Sequence, residues 1–100
     1  MKLRNEFEPI RVWAEKRDIF TQGTVIGQLN KLKEEVQEVE DAIKKGDEKA
    51  FIDGIGDTII SAVNLAKMKG FDAELCVNIA YNEIKDRVGK MVNGEFVKNI

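Results

Sequence analysis

"VIGQLNKLKEEVQEVEDAIKKG", residues 25–46, decides the fold. Val25, Leu29, Leu32, Val36, Val39 and Ile43 recur at alternating spacings of four and three, which makes one narrow apolar seam along a helix. Lys44 and Lys45 form a basic last turn, and Gly46 stops it, so the helix is expected over about Thr24 to Lys45. Five acids fall between Glu34 and Asp41. Like charges three or four apart on a helix destabilise it by ~0.2–0.5 kcal/mol per pair, so the crowding asks for a cation.

The same punctuation organises the rest of the chain. Gly70 follows Lys67 and Lys69, and Gly89 follows Arg87, each reading as a basic last turn and a helix-ending glycine. Asp47 and Asp72 stand where they would cap the next helix. Further helices are therefore expected at about Lys49 to Lys69 and Ala73 to Val88, with a weaker one within Phe7 to Arg17 that tolerates Pro9 near its first turn. Connections this short make sequential helices antiparallel neighbours. In "KMVNGEFVK", Asn93-Gly94 between Met91-Val92 and Phe96-Val97 signals a type I′ hairpin. Being marginal alone, the hairpin is expected to pack on the bundle or on another subunit.

One hundred residues make a single domain, 1–100, and 43% hydrophobic with 34% charged residues fits a globular chain. Sixteen basic against eighteen acidic residues leave a net charge of −2, which argues against nucleic acid as a partner. The chain has no apolar run of membrane length and no charged-then-apolar leader, so no membrane partner and a cytoplasmic location are expected. A single cysteine, Cys76, excludes an intrachain disulfide and a zinc–cysteine cluster, and it is expected in a core. Histidine is absent, so any catalysis runs on carboxylates, lysine, arginine and a hard cation such as Mg²⁺ or Mn²⁺.

Not all the acids ask for an explanation. Glu40 and Asp41 have Lys44 and Lys45 four residues on, whereas Glu34, Glu35 and Glu38 have no base within four residues after them. The next helix would bury Ile52, Ile55, Ile59, Ala62, Val63 and Ala66, and carries Asp53 and Asp57 on its other side with Asn64 near the same line. Gly54 and Gly56 permit close helix approach, Gly56 in particular. Two antiparallel helices would set Glu35 and Glu38 opposite Asp53 and Asp57, and four facing carboxylates demand a divalent cation or shifted pKa values. The last helix has an apolar face of Val77, Ala80, Tyr81, Ile84 and Val88, flanked by Asn78, Asn82 and Lys85, an amide and ammonium stripe suited to a phosphate chain.

Glu34-Glu35-x-x-Glu38, the acidic pair ending in Gly56-Asp57, and Asn82-x-x-Lys85 together resemble the MazG-like, all-α nucleoside triphosphate pyrophosphohydrolases. "AYNEIKDRVGKMVNGEFVK" is similar to the short, phage-type branch. The resemblance covers about Trp13 to Lys98. It implies an all-α, four-helix bundle with the short hairpin at its end, assembled as a homodimer or homotetramer. It also implies Mg²⁺-dependent hydrolysis of (deoxy)nucleoside triphosphates to the monophosphate and pyrophosphate, with water attacking the α-phosphorus. By position, Glu35, Glu38 and Asp57 would bind metal, Glu34 would ligate or orient the water, and Asn82 and Lys85 would contact phosphates or sugar. Glu34 or Glu38 would take the proton. The family's usual glutamate three residues before the aspartate is Gly54 here, and Asp53 is expected to substitute as a ligand.

For the rest of the substrate, Gln28 and Lys31 continue the Glu35 stripe and are expected to make polar contacts. Trp13 and Phe20 are candidates to stack on a base, against the plainer reading of both as core. The rival function is a non-catalytic helical module that uses the Val25–Ile43 seam to dimerise. It leaves Asp53 and Asp57 without a purpose.

Overall fold

A computed structural model describes residues 7–99; the opening residues, where a leader would lie, are outside the described residues. Its helices are α1 (Phe7–Lys16), α2 (Ile19–Gln22), α3 (Val25–Lys45), α4 (Glu48–Met68) and α5 (Ala73–Ile84), followed by strands β1 (Gly89–Val92) and β2 (Glu95–Lys98). The fold is all-α with a short C-terminal hairpin, as expected. No helix among the described residues is long and apolar enough to cross a membrane.

Local chemistry sets the boundaries. The Thr24 hydroxyl accepts from Gly27 N–H at 3.0 Å to open α3, and Asp47 accepts from Ala50 N–H at 3.0 Å to open α4. Gly46, at φ 68°, closes α3 in the left-handed conformation that glycine adopts without strain. Asp72 stands before α5 but makes no side-chain cap, and lies 3.9 Å from Lys67 instead. The last helix also ends four residues earlier than expected, at Ile84. Gly89 opens β1 opposite Lys98 rather than closing a helix. Asn93 and Gly94, at φ 52° and 83°, make the expected primed turn. The short α2 carries no periodic pattern and was not anticipated; Asp18, at φ 59°, turns the chain into it.

α3 and α4 form the central antiparallel pair. Gln28 Nε2 donates to the Ser61 carbonyl at 3.2 Å near one end, and near the other Gly54 lies against Val39. A Cβ on Gly54 would stand 2.9 Å from Val39 Cγ2, while one on Gly56 would meet nothing within 4 Å. Close approach therefore belongs to Gly54, not to Gly56 as expected. α1 and α2 lie across α4, and α5 leaves the body after its first turn, where Ala73 is buried. Arg11, 7% exposed, fastens α1 to α5 by paired hydrogen bonds to Glu74, both 2.7 Å, and also donates to Glu8 at 2.9 Å.

The helices cover only part of the expected apolar faces: Val63 is buried and Leu29, Leu32, Val39 and Ala66 are half-buried. α3 turns Glu35 and Ala42 inward, with Gln28, Leu32 and Val39 half-buried, and leaves Val36 and Ile43 exposed. α4 buries Gly54, Ser61, Val63 and Asn64, while Ile52 is 71% exposed and Ile55, Ile59 and Ala62 are exposed too. The face of α5 built from Val77, Ala80, Tyr81 and Ile84 is bare, as is Val88 beyond its end, and Cys76 is exposed rather than in a core. The hairpin makes little contact with the helices, and Met91 and Phe96 stay exposed. Polar side chains thus share the seam between α3 and α4 with aliphatic ones such as Val39, and part of each aliphatic stripe points away from it.

Candidate active site

Glu35 and Glu38 occupy successive turns of α3, and Asp57 faces them from α4. Each offers a carboxylate oxygen within 4.8 Å of the others, a grouping compatible with one cation. Glu35 is 4% exposed. Lys31, one turn before it, donates to Glu35 Oε1 at 3.1 Å, but Oε2 is buried with no hydrogen-bond partner. A bare buried carboxylate oxygen is costly unless something positive meets it.

Proton affinities report the same crowding. Glu35 lifts the Glu38 carboxyl above its ordinary value, first through the hydrogen bond that a protonated Glu38 could make to it and then by its charge. Burial lifts Asp57 above its ordinary value, and the charges of Asp53 and Glu35 raise it further. Lys31 is held above its ordinary value by its hydrogen bond to Glu35. Carboxylates pushed toward the neutral form by one another and by burial are what a divalent cation relieves. The all-oxygen donor set suits a hard ion such as Mg²⁺ or Mn²⁺.

The other candidates are placed as follows. Glu34 is exposed, 3.9 Å from Lys31 and outside the trio. Asp53 lies in a neighbouring cleft with Glu38 and Lys45, close enough for its charge to raise Asp57 but not within the trio. Asn82 on α5 and Lys85 just past its end are exposed, and the fold does not bring them to the carboxylates within one chain. Phe20 lines a separate cleft with Arg11 and Lys67. Gln28, Lys31 and Trp13 share a cavity with two of the trio, and Lys31 bonds one of them. They line a cavity of about 680 Å³ that Glu35 and Asp57 also reach. Trp13 is half-exposed rather than core, with the Arg17 guanidinium 4.5 Å from its ring centroid. Pro9, Ile10, Ile19 and Ile60 supply most of the remaining apolar wall, and Ser61 and Asn64 its polar part. Asn64 is the residue whose place in this wall went unassigned, although it lies on the line of Asp57.

The sequence model of the MazG nucleotide pyrophosphohydrolase domain matches residues 24–91. The chain belongs to the MazG family. Comparison with curated proteins and with solved structures gave no match. The MazG segment spans α3, α4 and α5 and so contains the whole trio; α1, which contributes Trp13 to the cavity, precedes it. Membership makes nucleotide pyrophosphohydrolysis the activity to expect, and the fold supplies an acidic cluster beside a cavity of nucleotide size.

Proposed function

We propose that this MazG-family chain hydrolyses (deoxy)nucleoside triphosphates between the α- and β-phosphates, releasing a monophosphate and pyrophosphate. The observation that carries the reading is the unpartnered buried oxygen of Glu35, grouped with Glu38 and Asp57 beside a cavity that Glu35 and Asp57 line. Glu35, Glu38 and Asp57 would hold Mg²⁺, or Mn²⁺ in its place. When bound, the ion offsets the charge of the triphosphate and acidifies water.

The chain's own groups do the rest. Lys31 fixes the Glu35 carboxylate in one orientation and keeps a positive charge at the cavity wall. Glu38, exposed and with a raised proton affinity, is the base that takes the proton of the attacking water; Glu34, one turn back, is the weaker candidate. The apolar wall around Trp13 receives the base and keeps bulk water from it. A second copy is part of the proposal. The aliphatic stripes left bare on α3, α4 and α5 suit self-association, and a neighbouring α5 would bring Asn82 and Lys85 to the phosphates.

A nucleotide panel with Mg²⁺, its products separated by chromatography, tests the reading. Monophosphate plus pyrophosphate is expected. Diphosphate plus orthophosphate, or no turnover with any nucleotide, would overturn it.

A further inference from the structure

Asn64 is 3% exposed, and its Oδ1 is buried without a hydrogen-bond partner. Leaving such an atom unmet costs about 1–3 kcal/mol. Gln28, across the helix pair, donates its Nε2 to the Ser61 carbonyl, and the cavity that Asn64 lines combines the apolar Ile10, Ile19, Ile60 and Trp13 ring with the polar Lys31 and Ser61. A residue that packed only for shape would be leucine here. An amide in an apolar wall has a use when the cavity is filled by something flat, apolar on its faces and polar along one edge.

Position along α4 narrows the occupant. Asn64 follows Asp57 by seven residues, two turns on the same line, or about 10 Å at a rise of 1.5 Å per residue. Both residues line the one cavity. An occupant with its phosphates at the trio would carry its base two turns further along, beside Trp13 and Asn64. A carboxamide pairs in bidentate fashion with an edge that sets an N–H beside an acceptor, which nucleobases present and a sugar does not present in a plane.

We propose that Asn64 is the residue that selects the nucleobase, its amide pairing with the base edge while Trp13 covers the ring face. The assignment rests on the nucleotide reading above and deepens it. Asn64 stands away from the carboxylates, so it governs which base is accepted rather than whether pyrophosphate is released.

Two readouts separate this inference from the reading on which it rests. Trp13 is the only tryptophan, so its fluorescence reports cavity occupation without catalysis. Nucleoside monophosphates, titrated without metal, are expected to quench it in a base-dependent order, with Asn64→Leu weakening the preferred one about tenfold or more. In turnover, kcat/KM ratios between the best and worst bases are expected to collapse by 10-fold or more in Asn64→Leu, with pyrophosphate still the product. Wild-type enzyme should likewise discriminate against triphosphates whose base edge lacks the N–H donor, and Asn64→Leu should not. That arm keeps the test alive if the variant is unstable, since the analogue comparison needs only the native chain.

If no nucleotide is hydrolysed but quenching remains base-dependent through Asn64, the base-selecting role stands and the hydrolytic reading falls. An unchanged base order in Asn64→Leu overturns the proposal. So does a variant that alters only ribose against deoxyribose preference, or a wild-type chain indifferent to both bases and analogues.

Discussion

Glu35 is 4% exposed and keeps one oxygen without a partner, an arrangement a carboxylate tolerates beside a cation. Its neighbours Glu38 and Asp57 bind protons more tightly than ordinary carboxyls, whose values are 4.5 and 3.8 here. A carboxyl raised in the folded state favours folding most below its ordinary value. That contribution is lost as pH rises through the raised one. Without metal, these two groups therefore oppose the fold at neutral and alkaline pH. A divalent cation reverses the sign by competing with protons for the same oxygens. Calorimetry should show Mg²⁺ or Mn²⁺ raising the melting temperature, by an amount equivalent to about 2.7 kcal/mol at a hundredfold excess over Kd. The rise should be largest near pH 8 and vanish near pH 4, and a rise independent of pH would contradict the site. Glu38→Gln and Asp57→Asn should abolish both the rise and pyrophosphate release. The loss should exceed the ~10–100-fold that follows removal of a mere outer-shell partner, with circular dichroism unchanged. These three residues were legible in the sequence because unpartnered acids on consecutive helices are an unusual expense. Asn64 was not, since an amide on a helix carries no charge pattern and becomes informative only once its burial is known.

At the scale of helices, starts and stops were legible because they depend on residues next to one another: Asp47 caps α4, Gly46 closes α3, and Asn93-Gly94 turns the hairpin. Contacts between helices were not. Gly54 and Gly56 look alike in the chain, yet only Gly54 meets α3. Gly56→Ala should stabilise the fold by about 0.5–1 kcal/mol, the ordinary helix-propensity gain. In Gly54→Ala the same gain is opposed by a Cβ 2.9 Å from Val39, and crowding of that kind costs about 1–3 kcal/mol, so the net effect should be destabilising. Urea melts of the two variants should shift in opposite directions. The clamp between α1 and α5 was also hidden, since Arg11 and Glu74 are far apart in the chain. Arg11 holds the Glu74 carboxyl down at about 2, from an ordinary 4.5. A lowered carboxyl stabilises fully above its ordinary value and loses that contribution as pH falls toward the folded one. Glu74→Gln should therefore melt below wild type at pH 7, and the gap should close between about pH 4.5 and 2. A gap of equal size at pH 2 would mean that the clamp acts through shape rather than charge.

For the whole molecule, periodicity shows which face avoids water but not what covers it. The seam on α3 and the stripe on α4 were read correctly as apolar, and the error lay in assigning all of each to a core within one chain: Leu29, Leu32, Val39, Val63 and Ala66 are covered, and Val36, Ile43, Ile52, Ile55 and Ile59 are not. A single chain exposes 8115 Å², against about 5,700 Å² for a folded monomer of 11.3 kDa. Its radius of gyration is 15.9 Å, against about 13 Å for a compact chain of this length. The excess of about 2,400 Å² is well above the ~800 Å² that each partner gives to a standard interface. Ile52, Ile59, Val36 and Ile43 lie among the bare positions, and so do Tyr81 and Phe96. The exposed area thus supports the proposed second copy alongside the chemistry. Light scattering should give a dimer or tetramer at micromolar concentration, and the melting temperature should rise with protein concentration, as it does when association and folding are linked. Ile59→Lys places a charge on the bare stripe of α4, away from the cavity, and should drive the protein toward monomers of lower stability. If Lys85 serves a neighbouring copy, mixing inactive Glu38→Gln and Lys85→Ala chains should restore part of the activity, because some assembled sites then draw Glu38 from one chain and Lys85 from the other. Failure of the mixture while each variant still assembles would confine every site to the residues of one chain, and would leave Lys85 no role at the phosphates.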